Sequence, residues 1–199
     1  MVFGLALSIG SLFLILNLAP DVVQIFEHIL FFGFGFVIIV MTWLGYSRTM
    51  AVLPVEVTSA LFLNIVLLFC VAIEPYLLYI LFTFTNNAPV SYYSSIAYGL
   101  DIGTMFLILA TLTRLVLKEN RESKSLQLQQ PVLERFRQFM TMDYVIGGFF
   151  IASTLPIFWI QTPIGYLRFI LWYSSFAFFF TLQRKSRKEK KLDSPDHDS

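Results

Sequence analysis

Five ionisable side chains, Glu27, His28, Glu74, Asp101 and Arg168, stand inside stretches otherwise built from aliphatic and aromatic residues. Carboxylates, an imidazole and a guanidinium can pair, relay protons or concentrate cations, and in an apolar setting each marks a function by default. Arg168 is expected to pair with Asp101 or Glu74, because leaving one partner alone in lipid costs on the order of 3 kcal/mol or more. Two sharper readings stand beside that packing role. Glu27 and Glu74 could form an acidic vestibule that concentrates cations, or the same intramembrane charges could carry protons for a transporter. Enzyme chemistry finds no foothold. His28 is the sole histidine of the apolar part, and no His-Glu-x-x-His or Gly-x-Ser-x-Gly pattern is present. The glycines of "FFGFGF" at 31–36 lack a phosphate-binding context and read as helix packing. Catalytic residues, metal ligands and cofactors are therefore not expected. Cys70 is the sole cysteine, so no intrachain disulfide can form, and its apolar surroundings suit a small packing residue.

The elements that must hold these groups are dictated by composition. With 57% hydrophobic and 14% charged residues, against about 25% charged in soluble domains, the chain has too little polar surface to cover a water-soluble fold. The reading is an all-α integral membrane protein. Six apolar stretches approach or exceed the roughly 20 residues that cross a bilayer, at 2–18, 23–46, 57–82, 92–117, 143–161 and 164–183. They are continuously apolar rather than alternating, which favours helices over barrel strands. Thirteen of the 14 Lys and Arg fall in the link after the second span, in the link after the fourth span with its flanks, or in the tail; Arg168 is the remaining one. Basic links stay in the cytoplasm, which puts both termini there and makes the chain a multi-pass cell-membrane protein. The opening run lacks a basic leader and an Ala-x-Ala site, so it is expected to be retained. The transmembrane domain is taken as 1–183. Within it, the cytoplasmic loop 118–142 carries an amphipathic helix at 131–141 with Val132, Leu133, Phe136, Phe139 and Met140 on one face, lying on the inner leaflet. Residues 184–199, basic and then acidic, read as a disordered tail.

At 100° per residue, Leu5, Ile9 and Leu12 of the first span share one narrow stripe. Gly4, Ser8 and Ser11 flank it on one side, Ala6 and Gly10 on the other. Small residues let helices approach closely where packing drives association in lipid. A bulky ridge between two small flanks fits either a stave around a symmetry axis or a helix buried in its own bundle.

The stretches "VFGLALSIGSLFLIL", "FVIIVMTWLGYSR" at 36–48 and "LFLNIVLLFCVAIEP" at 61–75 resemble the transmembrane protein 175 family of potassium channels over residues 1–82. Val2, Phe3, Ala6 and Ser8 match its first-helix pattern; Trp43 and Arg48 match the second, and Asn64 and Pro75 the third. The resemblance implies a homotetramer that passes potassium ions through an apolar neck. Leu5, Ile9 and Leu12 would form the constriction, and Ser8 would stand where the family has the threonine tied to potassium preference. Trp43, Tyr46 and Asn64 would occupy the interhelical polar clamp. Two departures are plain: the Phe-Ser-Asp signature would fall before Met1, and the family histidine of the second helix is Tyr46 here. No Thr-Val-Gly-Tyr-Gly filter occurs, so selectivity would rest on dehydration in the neck rather than on rings of carbonyls. The partners expected are potassium ions, the lipid bilayer and copies of the chain itself, with no nucleic acid. The alternatives are a non-conducting membrane scaffold, as a degenerate family member, and a proton-coupled transporter.

Overall fold

The computed structural model describes residues 2–16, 22–53, 58–83, 88–122, 128–159, 161–162, 165–175, 177 and 181. Apart from one two-residue antiparallel ladder, they are helical. The order is α1 (Val2–Leu16), α2 (Val22–Met50), α3 (Thr58–Thr83), α4 (Ala88–Glu122) and α5 (Gln130–Ala152). A 3-10 turn follows (Pro156–Trp159), then β1 (Gln161–Thr162) and β2 (Gly165–Tyr166), and then a helical run at 167–175, here α6. Among the described residues, three helices are long and apolar enough to cross a membrane: α2 over His28–Met50, α3 over Thr58–Thr83 and α4 over Pro89–Arg121.

α4 is the central post, packed against α2, α3 and α5. Its buried side, with Tyr98, Ile102, Met105, Phe106, Leu109, Leu112 and Val116, supplies much of the core. The closest approach is to α5, and glycine makes it possible. A Cβ at Gly103 would lie 2.6 Å from Ile151 Cγ1 and 3.1 Å from the Gly147 carbonyl oxygen, and one at Gly147 would lie 3.0 Å from the Gly103 carbonyl oxygen. Gly99, one turn earlier on α4, likewise faces the Phe150 carbonyl and the Ser153 hydroxyl. Backbones this near gain dispersion contact that larger residues would forbid.

α5 differs from the expectation of a surface helix followed by a separate span. It runs without a break from Gln130 to Ala152, because no proline or glycine interrupts residues 132–146. Pro131 opens it in the first turn, where a missing N–H costs nothing. The face expected to lie on lipid instead joins the protein core through Phe136 and Val132. The far end is also shorter than the expected 143–161. Pro156 cannot donate, and its ring would clash with the carbonyl of Ala152, so the helix must stop there. The freed carbonyls are capped locally: Ser153 Oγ donates to Phe150 O at 2.5 Å and Thr154 Oγ1 to Ile151 O at 2.7 Å.

α4 overshoots any bilayer. Its 35 residues at about 1.5 Å each make roughly 50 Å, against a hydrocarbon core of about 30 Å. The excess, past Leu112, pairs with the first turns of α5 through Val116, Phe136, Val132 and Leu128. Asn120 Oδ1 accepts the Leu128 N–H at 2.8 Å and ties the two helix ends together. The end of α2 leans on the same hairpin: Thr49 and Thr113 hydroxyls meet at 3.4 Å, and the Arg48 guanidinium lies 4.5 Å from the Phe139 ring centre.

Candidate functional site: the α1 ridge and the buried polar cluster

α1 rests on α2 and α3 by one face only. Phe3 and Ala6 are buried, Phe3 against the Tyr46 ring at 5.7 Å. A Cβ at Gly10 would lie 3.3 Å from Phe32 and 3.9 Å from Pro75, so the Ala6/Gly10 flank is the one gripped within the chain. The opposite flank is bare. Gly4 has no heavy atom within 4 Å of where a Cβ would stand. Ser8 and Ser11 are exposed and return their hydroxyls to their own helix, onto the Gly4 and Ser8 carbonyls at 2.9 and 2.8 Å. Leu5 is 61% and Leu12 50% exposed, with Ile9 half-buried between them. The ridge therefore lies on the outside of the subunit.

The three residues of the expected clamp have separate surroundings. Trp43 is exposed, Tyr46 packs on Phe3, and the buried amide oxygen of Asn64 receives no hydrogen bond. No hydrogen bond joins the three among the described residues. Trp43, one turn before Arg48 on the outside of α2, suits the membrane–water boundary.

The intramembrane charges divide. The side chain of Glu27 lies outside the described residues. Glu74 is 1% exposed, enclosed between α2, α3 and α4 rather than open to a vestibule. Gly35 of α2 provides the room, since a Cβ there would stand 2.9 Å from Glu74 Oε1 and 2.6 Å from Leu78. Tyr98 of α4 donates to Glu74 Oε1 at 3.3 Å. One turn deeper on α3, Cys70 lies beside the Asp101 carboxylate, whose Oδ2 is buried without a hydrogen bond. Antiparallel α3 and α4 thus present two rungs, the bonded pair Glu74–Tyr98 and the neighbours Cys70 and Asp101, at i, i+4 on α3 and i, i+3 on α4, each spacing keeping its residues on one helix face. The described bond of Glu74 goes to Tyr98, and no ion pair of either carboxyl with Arg168 is found among the described residues. Arg168 is 1% exposed in the first turn of α6, its guanidinium 4.9 Å from the Phe169 ring centre.

One turn on from Arg168, Trp172 is the keystone of an aromatic cluster. Its ring lies 5.3 Å from Tyr98, 5.6 Å from Phe150 and 5.2 Å from Phe169, and its Nε1 donates to Ser153 Oγ at 2.8 Å. Trp172 thereby joins α4, α5 and α6 beside Glu74. The signals that could have found these contacts were present: "GLDIG" at 99–103 is a small-xxx-small pattern, and Tyr98 is three residues before Asp101. The pairing of one rung with the other needed the helix register, which the sequence alone leaves open.

Replacing Tyr98 by Phe should strip Glu74 of its donor inside the bundle. Loss of about 1–3 kcal/mol is expected, the usual cost of orphaning a buried polar group. Glu74→Gln should cost less, because the amide oxygen still accepts from Tyr98. Thermal unfolding of the two variants in the same detergent checks the order; equal midpoints would show that the Tyr98–Glu74 bond contributes nothing.

No protein-family model, curated protein or solved structure matches the chain.

Proposed function

We propose that the chain is a six-span, multi-pass protein of the cell membrane with both termini in the cytoplasm, and that its copies assemble into a slow, potassium-preferring leak channel. The observation that carries the proposal is the outward stripe of Leu5, Ile9 and Leu12 on a helix whose opposite face is held by α2 and α3. In a homotetramer the bare Gly4/Ser8/Ser11 flank receives the neighbouring copy, and the ridge borders a shared axis. The three long apolar helices, the placement of the cations and the resemblance of residues 1–82 to the transmembrane protein 175 channels support the same reading. An apolar neck selects by dehydration: potassium holds its water less tightly than sodium, so it pays the smaller penalty. Ser8 offers a hydroxyl oxygen beside the neck.

The test is flux. Purified protein in potassium-loaded liposomes should release potassium faster than empty controls. Leu5→Asn or Leu12→Asn should raise the rate about tenfold, equivalent to about 1.4 kcal/mol off the barrier. Flux no greater than in protein-free liposomes, with the Asn variants unchanged, sinks the channel and leaves a non-conducting scaffold.

A proton-coupled transporter is the second reading, favoured by the Glu74–Tyr98 bond and the buried Asp101 carboxyl one turn away, which place exchangeable protons deep in the bundle. Asp101→Asn discriminates between the two. It should leave a leak intact but abolish uptake driven by a pH gradient.

A further inference from the structure

The cytoplasmic ends of α4 and α5 carry more order than a charge bias for topology requires. Arg114, Lys118 and Arg121 are exposed on α4 at i, i+4 and i+7, one stripe on the side away from the Leu112–Val116 seam. On α5, exposed Arg135 and Arg137 flank buried Phe136, and exposed Arg48 at the end of α2 is held over the Phe139 ring. Of the acidic residues described on this hairpin, Glu119 is half-buried, Glu134 is exposed, and half-buried Asp143 lies within electrostatic reach of Arg48. Five cations are thus mounted on a helical pair fixed by an apolar seam and by the Asn120–Leu128 bond, with Arg48 of α2 beside them, and not on a loose loop.

Position along α4 says what they face. In the proposed topology Trp43 stands at the inner boundary, and Leu109 lies level with it through its contact with Gly45, two residues along α2 from Trp43. Arg114 follows Leu109 by five residues, about 7–8 Å of helix, and Arg121 by twelve, about 18 Å. The stripe therefore begins at the depth of phosphate groups and continues into the water just below them. The phosphates of a lipid surface are the polyanion that this geometry meets without any search.

We propose that the basic stripe of Arg114, Lys118 and Arg121, with Arg48, Arg135 and Arg137 beside it, is a docking surface for anionic phospholipid headgroups of the cytoplasmic leaflet. The side assignment rests on the topology proposed above, but the surface does not depend on conduction. Pre-ordered cations lose little side-chain and loop freedom on binding.

The test uses the full chain in nanodiscs that mix phosphatidylcholine with phosphatidylserine and a trace of dansyl-labelled lipid. Energy transfer from the protein's tryptophans to dansyl-phosphatidylserine should exceed transfer to dansyl-phosphatidylcholine, and the excess should fall in 0.5 M salt, on the order of which the screening length drops below about 5 Å. Each cation near the surface contributes about fivefold in lipid partitioning. The triple variant Arg114→Gln, Lys118→Gln, Arg121→Gln should therefore lose at least about fivefold of the preference, and a variant with the six tail cations neutralised should keep most of it. The proposal is overturned if the triple variant enriches phosphatidylserine as wild type does, or if only the tail variant loses enrichment. It is equally overturned if the protein shows no lipid preference yet its phosphatidylcholine discs bind soluble polyglutamate, which would assign the surface to an acidic protein. Because both leaflets of a nanodisc have the same composition, a wrong topology would not abolish the enrichment. Labelling of a tail cysteine in intact cells, against the buried Cys70 as the sole native thiol, reads the side separately.

Discussion

Trp172→Ala should expose Cys70 to a thiol-reactive dye at a temperature lower by roughly 10 °C than in wild type. The arithmetic starts from the site. Trp172 is 3% exposed and touches rings from α2, α4, α5 and its own helix, Phe34 included at 6.3 Å. Truncating such a residue costs about 3–5 kcal/mol, of which part is the cavity left behind. For a chain of this size each kcal/mol moves the midpoint by about 2–4 °C. A second cost follows, because Ser153 loses the indole N–H that it now accepts at 2.8 Å. Cys70 suits the readout, being the sole cysteine of the chain and buried between α3 and α4. Trp172→Phe should recover most of the loss by refilling the space. A midpoint within 2 °C of wild type for the alanine variant, on the order of the shift from 1 kcal/mol or less, would mean that α6 is not anchored by this ring.

Gly103→Val should be the second most damaging single change, and it acts by the opposite means. Here volume is added, not removed. The first added carbon would lie 2.6 Å from Ile151 Cγ1 and 3.1 Å from the Gly147 carbonyl. Ile151 can rotate, but the carbonyl belongs to the α5 backbone and cannot yield without moving the helix. Overpacking of this kind costs about 1–3 kcal/mol and more where backbone must shift. The expected fall in dye-labelling midpoint is therefore about 2–12 °C. Gly148→Val is the matched control, since a Cβ there meets nothing within 4 Å. If both valine variants melt together, the α4–α5 crossing is not set by glycine.

The sequence was clearest about the helices whose physics is local. Apolar runs long enough for a bilayer placed α2, α3 and α4 to within a few residues, with α4 longer at both ends than the expected 92–117. Where propensity and partner competed, the reading went astray. Val132, Phe136 and Met140 have the spacing of a helix on a lipid surface, and the same spacing serves equally well against Val116 and Leu112 of α4. Periodicity reports that a face is apolar, not what covers it. Pro156 was a legible stop signal, and its effect on Ala152 follows from ring geometry alone. At the site, the ridge of Leu5, Ile9 and Leu12 could be read from one helix because its residues share one helix. The rungs could not, since Glu74 and Tyr98 are brought together only by the antiparallel offset of two helices.

Pro75 in mid-α3 has a mechanical consequence for the rest. Lacking an N–H, it leaves the Val71 carbonyl without a bond from the next turn. The most compliant joint of α3 thus lies immediately beside Glu74, and α1 leans on that joint at Gly10. A bend of α3 there would swing α1 like a lever about its contact with Phe32. A disturbance at the buried carboxyl would then reach the outer ridge as a change of slope, with no residue of the ridge touching Glu74.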